Sequence, residues 1–191
     1  MKQMNIYLSG VGGQGIGLLA DVLSRACITA GHTLIGCDTH GLAQRGGTVI
    51  SHLRLGTGPL SPRVPTGRAD MIISLERLEA FRAMETMLKD SGTVVYYDSV
   101  YQPIHVRLGQ FTYPSNEDLA KSARERNARL ERVSIDDLPD PRMQNVALLG
   151  RVAAIGLIEK VTSEIIEKAL ADGLPPAVLE KNLAVFKEAK K

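Results

Sequence analysis

The stretch that most limits how this chain can fold is an apolar run, Ile6-Tyr7-Leu8, that breaks into Ser9-Gly10-Val11-Gly12-Gly13-Gln14-Gly15-Ile16-Gly17. It reads as a strand that enters a glycine turn and leaves it as a helix. Gly10, Gly12 and Gly15 stand at the spacing G-x-G-x-x-G. Residues without Cβ reach positive φ and let backbone N–H groups approach a phosphate, and the helix that follows adds the positive end of its dipole. Glycine turns between a strand and a helix also serve simply to pack the two together, so the spacing leaves anion binding and plain packing evenly matched.

The next elements extend this start. Leu19, Val22, Leu23 and Ala26 form a helical stripe that closes at Gly31, and Thr33 to Cys37 is a short second strand. A βαβ unit of this kind begins a doubly wound sheet whose ligands lie at the carboxyl ends of the strands. In a dinucleotide fold Asp38 would hold a ribose, but it comes 28 positions after Gly10, later than the usual ~20. It opens a polar loop, Asp38 to Gly47, that holds His40, Gln44 and Arg45 before Gly46-Gly47. Arg45 could offer a planar guanidinium, with backbone donors beside it, to a phosphate or carboxylate if the fold brings it near the first glycine turn. By type alone these residues lean the other way, with Arg45 a solvated loop charge and His40 a turn residue. Thr48 to Leu55 then alternates as a strand, with Val49, Leu53 and Leu55 on one face and Ile50, His52 and Arg54 on the other.

Pro59 to Gly67 forbids regular helix and marks an ordered excursion or a loop facing a partner. Further elements are expected as a strand at 70–74, a helix at 75–89 stopped by Gly92, and a strand at 93–97 that brings Asp98 to the sheet's carboxyl edge. Alternation at 104–108 predicts a strand, 116–127 a helix with a charged outer face, and 133–135 an edge strand. An apolar helix at 143–160 carries Gly150 and Gly156, which permit close helix contact, and two short helices follow before a frayed end at 187–191. The whole describes a three-layer α/β/α, Rossmann-like architecture with a mostly parallel sheet, a mixed one being the alternative. Residues 1–191 are expected to form a single domain that includes the helices of 143–189.

Twenty-three Lys and Arg balance 21 Asp and Glu, which removes any electrostatic reason to expect nucleic acid or an anionic membrane as partner. No apolar run approaches the ~20 residues of a bilayer span and no signal-peptide pattern opens the chain, so a cytoplasmic protein is expected. Cys27 and Cys37 are the only cysteines. Both suit buried packing, they cannot ligate a cubane cluster, and no histidine stands at metal-ligand spacing to them, so no metal site is expected in this chain.

Several motifs together resemble one family. Gly10 to Ile16, His40-Gly-Leu-Ala-Gln44-Arg45-Gly46-Gly47, Ser51-His52-Leu53-Arg54, Ser61-Pro62, the Gly67-x-Ala69-Asp70 step, and Leu75-Glu76 with Leu78-Glu79 are similar, in this order, to the gamma-type subunit of 2-oxoacid:ferredoxin oxidoreductases. Asn182-x-x-x-Phe186 resembles that family's closing motif. The likeness is to its indolepyruvate branch, and departs from it at Asp38-Thr39 and Leu42, where Glu-x and Met would be expected.

The resemblance implies a division of labour. The family decarboxylates 2-oxo acids on thiamine diphosphate, passes two electrons through iron–sulfur clusters to ferredoxin and releases an acyl-coenzyme A. In this branch the thiamine diphosphate and [4Fe-4S] clusters belong to a large (alpha) subunit, with an arylpyruvate and coenzyme A as the reactants of the complex. The small subunit would then place Gly10, Gly12, Gly13, Gln14 and Gly15, with His40, Gln44, Arg45, Gly46 and Gly47, against an anionic moiety or in the wall of the site. No acid, base or nucleophile can be named; His40, His52 and Glu76 are the candidates. Two other functions fit the first motif: a stand-alone NAD(P)- or FAD-binding oxidoreductase, and a scaffold subunit that only shapes its partner's site.

Overall fold

The computed structural model describes residues 3–39, 46–58 and 61–191. Six strands, β1 (Met4–Val11), β2 (Leu34–Thr39), β3 (Thr48–Leu55), β4 (Ala69–Ser74), β5 (Leu88–Tyr97) and β6 (Arg129–Val133), form one sheet in the order β2-β3-β1-β4-β5-β6. The pairs β1/β4, β4/β5 and β5/β6 are parallel, whereas β3 is antiparallel to both β1 and β2. The sheet is therefore mixed. A hairpin can return a strand directly beside its predecessor without a crossover, and β3 uses that route to enter between β1 and β2. The expected βαβ start is accordingly altered: β2 runs the same way as β1 but lies two places from it.

Both faces of the central strands are covered, which explains their nearly continuous apolar runs. Ile6, Leu8, Met71, Ile73, Val95 and Tyr97 pack toward α1 (Ile16–Thr29), α5 (Gln144–Ile155), α6 (Ser163–Gly173) and α7 (Pro176–Glu188). Tyr7, Ile72, Val94 and Tyr96 face α2 (Arg77–Thr86) and α4 (Asn116–Glu125). The alternation expected along β3 holds, and its second face is also buried: His52 Nδ1 accepts from Val64 N at 3.1 Å, and Arg54 donates to Ser61 O at 2.8 Å. These two side chains hold residues 61–64 of the Pro-rich excursion against the sheet.

Four expectations need correction. The second helix is shorter than 75–89, because the Glu76 side chain caps it by accepting from Glu79 N at 2.9 Å and Lys89 already belongs to β5. Residues 104–108 do not form a strand: after Pro103 they make a single turn, α3 (Ile104–Arg107), which ends at Gly109 with φ 71°. The edge strand is Arg129–Val133, earlier than expected, in parallel register with Thr93–Tyr97. Finally, α5 stops at Ile155, because Gly156 adopts φ 65° and closes the helix rather than packing on a neighbour. Gly150 does permit close contact, since a Cβ there would lie 2.3 Å from Phe186 O of α7. Cys27 is fully buried, but Cys37, on the outer strand β2, is only half-buried.

Candidate active-site edge

The carboxyl ends of β1, β4 and β5 meet at one edge of the sheet, and the glycine turn sits there. Gly13 and Gly15 take φ of 103° and 86°, conformations that a residue with Cβ resists. A Cβ on Gly15 would also meet Asn145 Nδ2 at 2.5 Å, and one on Gly10 would meet Leu75 Cβ at 3.1 Å. The turn is thus pressed against both the β4 end and the start of α5.

Two groups that the fingerprint would offer to a phosphate are engaged within the fold. Gly12 N donates to Gly47 O at 2.8 Å, and Gly46 N reaches Gly12 O at 3.4 Å, so the two glycine motifs continue the β1/β3 ladder beyond Val11 and Thr48. Gln14 Oε1 accepts from Val11 N at 2.7 Å, and its Nε2 donates to Leu75 O at 2.9 Å, within 3.2 Å of Ser99 Oγ and 3.3 Å of Gln144 Oε1. One carboxamide therefore ties β1, the β4 end, the β5 end and α5 together. Replacing Gln14 by Ala leaves Val11 N without its side-chain partner, while Leu75 O keeps the Ser99 hydroxyl at 2.7 Å, and is expected to cost about 1–3 kcal/mol. Urea unfolding measures this, and a loss below about 0.5 kcal/mol would show that water replaces the carboxamide at no cost.

Beside this tie lies Glu76, fully buried at the N-terminus of α2. Its Oε2 accepts from Glu79 N; its Oε1 accepts from Tyr101 N at 3.1 Å and from the Tyr113 hydroxyl. Burial pushes its carboxyl up to about 7, against the lowering effect of the backbone N–H groups of Glu79 and Tyr101. It is a carboxylic acid that changes charge near neutrality. Tyr101 also approaches the second glycine motif, since its hydroxyl would lie 3.6 Å from a Cβ on Gly46.

The other titratable candidates are tied into the framework. Burial alone would raise Asp98, but hydrogen bonds from Asn116 and Arg77 and the nearby Arg132 hold it below the usual carboxylate range; Arg77 and Arg132 both stand 2.6 Å away. His52 is lowered by burial and by Arg63, and its ring stands edge-on to Tyr7. Asp38 is exposed on β2, separated from the glycine turn by the whole of β3, so it cannot serve this turn as the ribose-binding acid of a dinucleotide fold does. His40, Gln44 and Arg45 lie outside the described residues. Among the described residues no group of three or more His, Cys, Asp or Glu could hold a metal ion, and no helix is long and apolar enough to cross a membrane.

A cavity of about 300 Å³ opens over the glycine turn, lined among others by Gly13, Gly15, Leu18, Arg142, Asn145 and Asn182. A Cβ on Gly13 would meet nothing within 4 Å. Asn182, from the closing motif, therefore shares a cavity with the first one. A larger depression of about 680 Å³ lies elsewhere, beside β6 and the C-terminus, and its Arg132 and Arg151 are neutralised by Asp98 and Glu131. Tyr101, Tyr113, Arg142 and Asn145 reach the glycine-lined edge from irregular or distant segments. Their spacing carries no motif, so nothing in the order of residues marks them.

The family description pyruvate ferredoxin/flavodoxin oxidoreductase matches residues 5–191. The chain belongs to this family. It is 32% identical over 192 residues to the indolepyruvate oxidoreductase subunit IorB of Pyrococcus horikoshii, covering 97% of this chain and 94% of the relative. It is 26% identical to the 2-oxoglutarate synthase subunit KorC of Methanocaldococcus jannaschii, over 95% of this chain and 89% of that one. Among solved structures the fold matches the keto/oxoacid ferredoxin oxidoreductase gamma subunit of Geobacter sulfurreducens, with TM-score 0.64, 21% identity and coverage of 98% and 96% of the two chains. It also matches the 2-oxoglutarate:ferredoxin oxidoreductase of Magnetococcus marinus, solved with 2-oxoglutarate, coenzyme A and succinyl-CoA bound, with TM-score 0.67 and 21% identity. There the match covers all of this chain but 31% of that one. Within the family this chain is a small subunit of a 2-oxoacid:ferredoxin oxidoreductase. That membership favours neither the stand-alone nucleotide-binding reading nor the purely structural one.

Proposed function

We propose that the complex containing this small subunit oxidatively decarboxylates an arylpyruvate of the indolepyruvate type, and that the glycine-lined edge forms part of the wall against which coenzyme A is held. The substrate class rests on the likeness to the IorB relatives. The coenzyme A assignment rests chiefly on the hydrogen bond from Gly12 to Gly47. Because Arg45 precedes Gly46 directly in the chain, that pairing supports a place for the second motif's polar residues beside the first turn. In this reading Gly10, Gly12 and Gln14 shape the wall from within. Gly13, Gly15, His40, Gln44 and Arg45, with Gly46 and Gly47, line the side open to an anionic moiety, and the whole of 1–191 works as one domain. Thiamine diphosphate and the iron–sulfur clusters reside on a larger partner subunit, which delivers electrons to ferredoxin.

The test is coenzyme A titrated into the intact complex. Arg45→Ala is expected to weaken binding about fivefold to tenfold, the value of one charge-assisted contact to a phosphate. Unchanged affinity with retained assembly would remove Arg45 from the ligand and leave the edge as wall alone. Absence of indolepyruvate-dependent ferredoxin reduction in the wild-type complex would overturn the substrate class.

A further inference from the structure

The described residues expose eight large apolar side chains, and five of them fall between positions 100 and 111: Val100, Tyr101, Ile104, Leu108 and Phe111, the last 68% exposed. Ile104 and Leu108 stand at i and i+4 across the single turn of α3 and so present neighbouring side chains. Scattered exposed apolar residues are ordinary on a monomer, but such a concentration in one short segment marks an interaction surface. The segment is also ordered from within. Its two ends are bound to one buried carboxylate, Glu76, through Tyr101 N and the Tyr113 hydroxyl, so little ordering entropy remains to be lost on binding.

Two observations say what covers it. Residues 99–116 contain no Asp or Glu, while Arg107 lies among the apolar ones. The complementary surface is therefore apolar with carboxylates at its rim. In addition, this chain matches 31% of a longer chain of the Magnetococcus enzyme, where a part of this fold is joined to further polypeptide. The relatives at 26–32% identity are themselves named as subunits, and the segment adjoins the edge that carries both glycine motifs, through Tyr101 and Gly46.

We propose that Val100–Phe111 is the seat of the large subunit of the oxidoreductase, which docks an apolar, acid-rimmed surface onto it and so closes over the glycine-lined edge. This inference rests on the subunit reading given above.

The test uses this chain co-expressed with its large subunit, with assembly followed by size exclusion and light scattering. Ile104→Asp and Leu108→Asp are expected to weaken association at least about tenfold, as the loss of central apolar anchors does, while the thermal midpoint of the small subunit stays within about 2 °C of wild type, as for surface substitutions generally. Ile28→Asp, an exposed apolar position on α1 far from this segment in sequence, is expected to assemble as wild type. Arg107→Glu is expected to slow association about tenfold at low salt and less at high salt. Normal assembly by both aspartate variants would overturn the proposal, as would equal disruption by Ile28→Asp. A wild-type chain that forms homodimers dissociated by the same variants would assign the segment to a second copy instead. Failure of wild type to associate with the thiamine-bearing chain at all would overturn the subunit reading itself, an outcome distinct from selective failure of the variants.

Discussion

Gly150→Val is expected to leave the chain unable to hold α7 on α5, and even Gly150→Ala should lower stability by about 2–3 kcal/mol, the range of core overpacking. A Cβ at this position would stand 2.3 Å from Phe186 O and 3.1 Å from Ala189 Cβ. The first of these atoms is backbone, so it cannot rotate aside as a side-chain end could. Relief requires α7 to shift as a unit, which would unseat Phe186 and Val185, both buried in the core beneath it. A chain of this size loses roughly 2–4 °C of midpoint per kcal/mol, so the alanine variant should melt roughly 5–10 °C below wild type. Thermal and urea unfolding of the two variants measure this. An alanine variant as stable as wild type would show that the α5–α7 distance is not set at this contact.

The second large effect is a pH dependence at Glu76. The folded chain keeps its Glu76 proton up to about pH 7, whereas an ordinary glutamate releases it near 4.5. Between those values the folded state binds more protons than the unfolded one, so stability falls as pH rises. The contribution is fully present below about 4.5 and lost through about 7, a change on the order of 3 kcal/mol for this fully buried group. Above the transition the buried charge remains tolerated because Glu79 N, Tyr101 N and the Tyr113 hydroxyl all donate to it. Glu76→Gln cannot ionise, so its stability relative to wild type should improve by roughly that amount on going from pH 5 to pH 8. Comparing the two proteins at each pH cancels the common effect of depressed carboxylates such as Asp98 and Glu131, whose contributions are lost only toward acid. Parallel pH curves for the two proteins would show that Glu76 titrates normally.

The glycine turn was legible because its cause is local. Gly13 and Gly15 adopt positive φ, and only glycine does that cheaply, so the residue type itself reports the backbone. The strands β1, β3 and β4 were legible for a similar reason, since alternation or an unbroken apolar run records which faces are buried. Residues 104–108 misled because alternating residues beside Pro103 and Gly109 fit a short strand and a helical turn equally well. The long helix 143–160 was overextended because Gly156 can either pack closely or end a helix, and only its observed φ distinguishes the two.

By itself, then, the sequence determined the layered α/β architecture and the strand–turn–helix at Gly10 to Gly15, because periodicity and glycine chemistry act within a few residues; the family followed from the resemblance of several motifs in order. Tertiary structure alone decided that β3 enters between β1 and β2 and that Gly12 spends its N–H on Gly47. It alone made Gln14 a tie across three strand ends and gathered Tyr101 and Tyr113 onto a buried Glu76. The Gln14 contacts alone join residues 85 positions apart, at Ser99, and 130 positions apart, at Gln144. Which distant polar groups meet is set by how the strands order and cover one another, and no local propensity encodes that.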